Sequence, residues 1–173
     1  MNRQPTRQPI DLSDVTLPGH DGGTLTFADY RGRRAVLVLG NQRNAKQVPA
    51  VAGRIHGAAD TADVTVIQVA HLKGVPRAFR RLAAVDIKRG MRGQLTALRE
   101  QRTGRGLPAA DADDLLVMGL DWSGELTDRF GFTARDDEPA ALLIDEQCRG
   151  VTVPADADLP GTVRSFIAPP ANL

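Results

Sequence analysis

A single cysteine, Cys148, stands among 173 residues. It excludes an intrachain disulfide and any Cys-x-x-Cys redox or zinc motif. Histidine is almost as scarce: His20, His56 and His71 lie too far apart for a local metal-ligand motif, and no metal or cofactor is expected. Aromatic residues make up 4% of the chain, too few to interleave with basic side chains as a base-stacking platform, which disfavours nucleic acid as a partner. Neither a Gly-x-Gly-x-x-Gly nor a Gly-x-x-x-x-Gly-Lys-Ser/Thr phosphate loop occurs. Asp111-Ala112-Asp113-Asp114 lacks the remaining ligands and the closing glutamate of a calcium loop. No apolar run approaches the roughly 20 residues of a membrane span. The opening MNRQPTRQPIDLSD has no apolar secretory core, so a cytoplasmic location is expected. Lysine occurs 3 times against 19 arginines, a bias of GC-rich bacterial genomes that says nothing about activity.

What is present has the profile of one soluble globular domain: 25% charged, 42% hydrophobic, net charge +1. A domain of this length buries roughly 70% of the surface its unfolded chain exposes, so it needs no staple. The charges are unevenly placed. Residues 73–105 hold ten Arg/Lys against Asp86 and Glu100, whereas residues 106–173 hold four against thirteen Asp/Glu. Such a basic block suits an anionic partner, whether an acidic protein face, an anionic membrane surface or nucleic acid. It suits equally the acidic last third of its own chain, or water.

Residues 1–9, with two prolines and no periodicity, read as a loosely attached tail, and 169–173 as a second. Asp21-Gly22-Gly23 turns Val15-Thr16-Leu17 into Thr24-Leu25-Thr26-Phe27, a small hairpin. The runs 35–39 and 64–70 read as strands buried on both faces. A helix over about 45–59, with Pro49 tolerated in its first turn, joins them into a right-handed parallel βαβ unit. Over 76–103, Phe79, Leu82, Ala83, Ile87, Met91, Leu95 and Leu98 recur at threes and fours, predicting a helix. Gly90 and Gly93, each about 1 kcal/mol worse than alanine, predict a break near 90–93. A strand at 115–120, a short helix at 124–132, a strand at 140–144, its hairpin partner at 151–153 and a last helix at 159–168 complete the order.

Four stretches stand out in this order: Asp21-Gly22-Gly23 leading to Asp29-Tyr30-Arg31-Gly32; the run 35–40; Asp121-Trp122-Ser123-Gly124 leading to Phe130-Gly131-Phe132; and Glu138-Pro139-Ala140-Ala141-Leu142-Leu143-Ile144-Asp145. Together they cover most of residues 15–153 and resemble the redoxin branch of the thioredoxin-like fold, which includes peroxiredoxin-like and alkyl hydroperoxide reductase-like domains. The resemblance implies an α/β three-layer sandwich: a mixed central sheet of about five strands flanked by helices, in one domain at 10–168. It makes 74–105 a basic helical insertion beyond the usual elements. It also implies that Pro139 is cis and faces the Asn41–Asn44 loop.

The family carries a cysteine after its first central strand. Here that stretch reads Gly40-Asn41-Gln42-Arg43-Asn44-Ala45-Lys46-Gln47-Val48-Pro49 and holds no sulfur. Thiol–disulfide exchange and peroxide reduction both need a thiolate, so the resemblance implies the fold without the activity. Cys148 follows the strand that Pro139 begins and lies roughly 15 Å or more from the ancestral site. It reads as an incidental turn cysteine. The two parallel strands deliver Asn41, Gln42, Arg43, Asn44, His71, Glu138 and Pro139 to one sheet edge, where open α/β sheets bind ligands. His71 and Glu138 are candidates for a base and its orienter.

The expected function is a redox-inactive thioredoxin-like protein acting as an interaction module. Its surface is the basic helix: Arg77, Phe79, Arg80, Arg81, Leu82, Ile87, Lys88, Arg89, Met91 and Arg92. The expected partner is a protein with an acidic surface, or a larger assembly; a homo-oligomer also fits. Two alternatives stay open: an atypical single-cysteine redoxin or other enzyme at the ancestral cleft, and a peripheral binder of anionic membrane or nucleic acid.

Overall fold

Six consecutive buried residues, Ala35–Gly40, form the strand around which the domain is built. The computed structural model describes residues 8–168. In chain order the elements are β1 (Ile10–Asp11), β2 (Thr16–Pro18), β3 (Thr24–Thr26), β4 (Ala35–Gly40), α1 (Val48–Gly57), β5 (Thr65–His71), α2 (Arg77–Gly104), α3 (Ala112–Leu115), β6 (Leu116–Asp121), α4 (Glu125–Arg129), β7 (Ala140–Ile144), β8 (Arg149–Thr152) and α5 (Leu159–Ile167). The main sheet has six strands in the order β1-β8-β7-β4-β5-β6. β4 pairs in parallel with β5, and β5 with β6; β4–β7, β7–β8 and β1–β8 are antiparallel. The sixth strand is the two-residue β1, an edge pairing that the expected five did not include.

Side-chain alternation along β4 divides the core in two. Val36 and Val38 point to one face, where they pack with Val51 and Ile55 of α1, Met91, Leu95 and Leu98 of α2, and Leu159 and Val163 of α5. Ala35, Leu37 and Leu39 point to the other, against Leu17, Leu25, Phe27, Leu126 and Phe132. The β2–β3 hairpin lies on this second face. It comes so close that a Cβ on Gly119 of β6 would meet Leu25 Cδ2 at 2.8 Å and Leu17 Cδ1 at 3.0 Å.

Three sequence expectations change. First, α2 runs unbroken for 28 residues. Gly90 and Gly93 face solvent with open space around their Cα atoms. Their combined cost of about 2 kcal/mol is offset by burying Met91, Leu95 and Leu98, worth about 1.5–3 kcal/mol each. Second, α2 is not purely an addition: it is the crossover between β5 and β6, and Met91, Leu95 and Leu98 of its C-terminal half are core. Met91, expected on the interaction surface, is 1% exposed. Third, no described peptide bond is cis, so Pro139 is trans. The expected tail over 1–9 lies outside the described residues except Gln8 and Pro9, and 169–173 lies wholly outside them.

Candidate functional site

At the C-terminal end of β4 the chain turns sharply: a Cβ on Gly40 would meet Val48 Cγ2 of α1 at 2.5 Å. The loop that follows is held by its own asparagines. Asn41 N–H donates to Asn44 Oδ1 (2.8 Å), while Asn41 Oδ1 accepts from the backbone N–H groups of Arg43 (2.8 Å) and Asn44 (3.1 Å). Both side-chain amides then reach across to the loop before β7. Asn41 Nδ2 donates to the carbonyls of Thr133 and Asp136, each at 2.8 Å, and Asn44 Nδ2 donates to Asp136 at 3.1 Å. Gln47 Nε2 adds a bond to the Asp137 carbonyl (3.1 Å), and Arg43 pairs with the Asp137 carboxylate (3.3 Å). Asn41 and Asn44 are buried, 4% and 0% exposed. Two buried amides thus staple loop 41–47 to loop 133–137 where the resemblance places a reactive thiol.

The seven residues expected at this edge do not form one cleft. Asn41, Gln42 and His71 line a cavity that opens toward α2. Glu138 and Pro139 line a separate depression with Gln47, Val51 and Arg54. Glu138 therefore does not orient His71. His71 Nδ1 lies 2.7 Å from Thr127 Oγ1, and that hydroxyl lies 3.0 Å from Asp121 Oδ2. With its hydrogen on the carboxylate, the hydroxyl accepts from Nδ1–H. The same carboxylate oxygen accepts the Thr127 backbone N–H at 2.9 Å, capping α4. Asp121 is fully buried and its Oδ1 has no partner among the described residues. Asp121 belongs to a stretch the sequence singles out, but its role and that of Thr127 escape sequence reasoning. β6 sets Asp121 beside His71 in register, a pairing 50 residues apart that no local pattern carries.

The basic helix divides into two parts. From Leu95 onward the cations are spent within the chain. Arg102, 2% exposed, pairs with Asp63 (2.9 Å) and Asp111 (3.4 Å) and donates to the carbonyls of Ala62 and Pro108. Arg99 pairs with Asp113 at 2.7 Å, and Arg105 donates to the His56 carbonyl. Over residues 77–92, Arg77, Arg81, Lys88, Arg89 and Arg92 are exposed, and none makes an ion pair among the described residues. Beside them Phe79, Leu82 and Val85 are 59%, 61% and 50% exposed. Arg80 is half-buried, with its guanidinium over the Trp122 ring at 5.4 Å. Ile87 is half-buried and lines the cavity.

Cys148 sits at the opposite end of the sheet. β7 runs antiparallel to β4, so Ala140 lies beside Leu39 and Ile144 beside Ala35, and the turn after Ile144 is far from Asn41. The thiol has no exposure and donates to the Phe27 carbonyl at 3.1 Å. Burial pushes its pKa up, away from the thiolate that redox chemistry needs. Among the described residues no group of three or more His, Cys, Asp or Glu could hold a metal ion, and no helix is long and apolar enough to cross a membrane.

No family model and no curated protein sequence matches the chain. Solved structures do. The exposed lipoprotein thioredoxin of Streptococcus pneumoniae is 20% identical, covering 88% of this chain and 96% of its own, with a TM-score of 0.53. A DsbF homologue from Corynebacterium diphtheriae is 16% identical over 94% of this chain and 90% of its own (TM-score 0.52). A secreted thiol-disulfide isomerase from Corynebacterium glutamicum is 16% identical over 90% and 82% (TM-score 0.53). At such identities the likeness is one of fold, and these neighbours do not single out the peroxiredoxin branch. The chain has a thioredoxin-like fold, with paired asparagines in the loop after its first central strand.

Proposed function

We propose that this protein is a thioredoxin-like binding module without redox activity, which docks an acidic protein surface on residues 77–92 of α2. One observation carries the reading: residues 77–92 of one helix hold five exposed cations without ion pairs next to three exposed apolar side chains, while Arg99 and Arg102 farther along the same helix are neutralised within the chain. Arg77, Arg81, Lys88 and Arg92 recur at spacings of four, seven and four, which places them along one ridge about 22 Å long. An acidic face is complementary to that ridge, and Leu82 and Val85 supply apolar anchors beside it. The absence of a thiol from 41–49 and the burial of Cys148 support the non-redox part. The stretches at 21–32 and 138–145 favour a redoxin-like ancestry.

The experiment is photo-crosslinking in the native host from a benzophenone amino acid at position 85. Binding of the captured protein is then measured at low and high salt. Replacing Arg77, Arg81, Arg89 and Arg92 by glutamate is expected to abolish binding at an unchanged melting temperature, and an acidic-to-basic exchange on the partner to restore it. Binding that ignores the four substitutions and salt refutes the acidic-surface reading. Retention on phosphatidylserine vesicles with no protein crosslink replaces it with a membrane partner. Insulin-disulfide reduction by the purified protein refutes the non-redox part.

A further inference from the structure

The cavity beside α2 meets an imidazole ring with one nitrogen to spare. It measures about 790 Å³ and lies between the C-terminal ends of β4 and β5, loop 72–76 and α2. That is within the roughly 300–1,000 Å³ of small-molecule sites. Leu72, Val75, Phe79, Leu82 and Ile87 give it an apolar wall, and at the strand ends Asn41, Gln42, His71 and Ala134 line it. Most of its polar side chains are already engaged. Gln68 and Gln94 bond to each other, Asn41 is tied to loop 133–137, and Lys73 pairs with Asp128.

His71 differs. It is 7% exposed, with Nδ1 committed to Thr127 Oγ1 at 2.7 Å. Its Nε2 makes no hydrogen bond among the described residues. Nor is Nε2 sealed off, because the one fully buried side-chain nitrogen or oxygen without a partner is Asp121 Oδ1. Nε2 therefore keeps accessible surface, and His71 opens onto the cavity it lines. The Phe132 ring stands edge-on to the imidazole, 6.2 Å between centroids, and Ala134 two residues on lines the same cavity. With the Thr127 hydroxyl donating to the Asp121 carboxylate, Nδ1 donates to the hydroxyl. Nε2 then accepts a hydrogen when the ring is neutral and donates one when it is cationic. A carboxylic acid suits both states: it brings the proton that Nε2 lacks, or as its anion accepts the proton that Nε2 holds. The bond is charge-assisted, roughly twice as strong as a neutral one. Asp121, one hydroxyl away, stabilises the imidazolium from behind. The surrounding charge agrees. Over 77–92, α2 carries Arg77, Arg80, Arg81, Lys88, Arg89 and Arg92 against Asp86 alone, which lines the cavity and is exposed to water.

We propose that this cavity binds a small monocarboxylic acid with an apolar body. Its carboxyl group hydrogen-bonds to His71 Nε2, and its body lies against Leu72, Val75, Phe79 and Leu82. His71 is the binding residue; Thr127 and Asp121 position it. The wall shares Phe79 and Leu82 with the proposed docking surface, so guest and protein partner meet there. Guest binding requires no protein partner and is tested on the chain alone, so its failure leaves the docking reading standing.

The test compares 4-phenylbutanoate with 4-phenylbutan-1-ol, which has the same body and a neutral head. Binding is followed by NMR on labelled protein. The carboxylate is expected to move the His71 ring signals, Nε2 above all, and to bind at least about tenfold more tightly than the alcohol. His71→Phe, which keeps an aromatic ring and removes the nitrogens, is expected to erase that preference. Ala83→Trp, which fills the cavity from α2 and leaves His71 in place, is expected to block both probes. Equal binding of the two probes overturns the proposal. So does carboxylate binding that leaves the His71 ring signals unmoved, keeps its full strength in His71→Phe or survives Ala83→Trp, and so does no carboxylate binding up to its solubility. If His71→Phe does not fold, the ring signals, the probe pair and Ala83→Trp decide by themselves.

Discussion

Asn41 and Asn44 donate their side-chain amides to the same acceptor, the carbonyl of Asp136, at 2.8 and 3.1 Å. Asn44 also fixes Asn41 through its Oδ1 and the Asn41 N–H. This cross-brace joins the loop after β4 to the loop before β7. Replacing Asn44 by alanine strands the buried Asn41 N–H, and replacing Asn41 strands the buried Asn44 N–H, at about 1–3 kcal/mol for each buried group. We expect Asn44→Ala to lower unfolding free energy by about 2 kcal/mol in urea titrations. A loss under about 0.5 kcal/mol, the level of ordinary surface changes, would show that the brace contributes nothing.

Cys148 donates its thiol hydrogen to the Phe27 carbonyl from a site without solvent exposure. A thiol so placed reacts only when the structure opens. Native protein is expected to react with Ellman's reagent at least about a hundredfold more slowly than protein in guanidinium, because access requires an opening reaction. Fast, stoichiometric labelling of the native chain would contradict this placement.

The two halves of the basic block should answer differently to mutation. Arg102→Leu strands the Ala62 and Pro108 carbonyls and removes a buried cation, whereas its acids Asp63 and Asp111 are themselves exposed and can rehydrate. Its expected cost is about 2–3 kcal/mol, below the 3–5 kcal/mol of a fully buried broken pair. Arg81→Leu is expected to stay within about 0.5 kcal/mol. Parallel thermal melts of the two variants check the contrast, and equal losses would refute it.

His56 lies buried with Nε2 2.9 Å from the Val64 carbonyl, and burial holds its pKa below the ordinary 6.5. Below pH 6.5 the unfolded chain therefore binds more protons at this position than the folded chain. Stability is expected to fall as pH is lowered from 6.5 toward the folded value, and to show no dependence on His56 above it. His56→Gln should flatten the melting temperature between about pH 7 and pH 5. An unchanged slope would assign it to another group. Asp11, Asp14 and Asp21, held below 3.8 by hydrogen bonds, give up stability only at lower pH.

Local pattern was enough for the scaffold. The unbroken runs 35–39 and 64–70, the Asp21-Gly22-Gly23 turn and the order of elements around Pro139 specify a βαβ unit followed by a hairpin. Each of these signals lives in a few neighbouring residues. The empty thiol position is equally local, because it needs only the reading of 40–49. The helix over 76–103 was visible in its periodicity, but its continuity was not. Gly90 and Gly93 weaken an isolated helix, and only packing of Met91, Leu95 and Leu98 on the sheet offsets them.

Sequence by itself determined a thioredoxin-like order without a thiol at the expected loop, and a dense basic block after the second central strand. Tertiary structure alone decided which cations of that block are spent, because Asp63, Asp111 and Asp113 reach Arg102 and Arg99 only through the packing of α2. It alone separated Glu138 from His71 and set His71 against Thr127 and Asp121 instead. It also closed Asn41 and Asn44 onto a loop more than 90 residues away. Hydrogen bonds and ion pairs act over a few ångströms, and the distances between residues remote in sequence are set by strand register and helix packing.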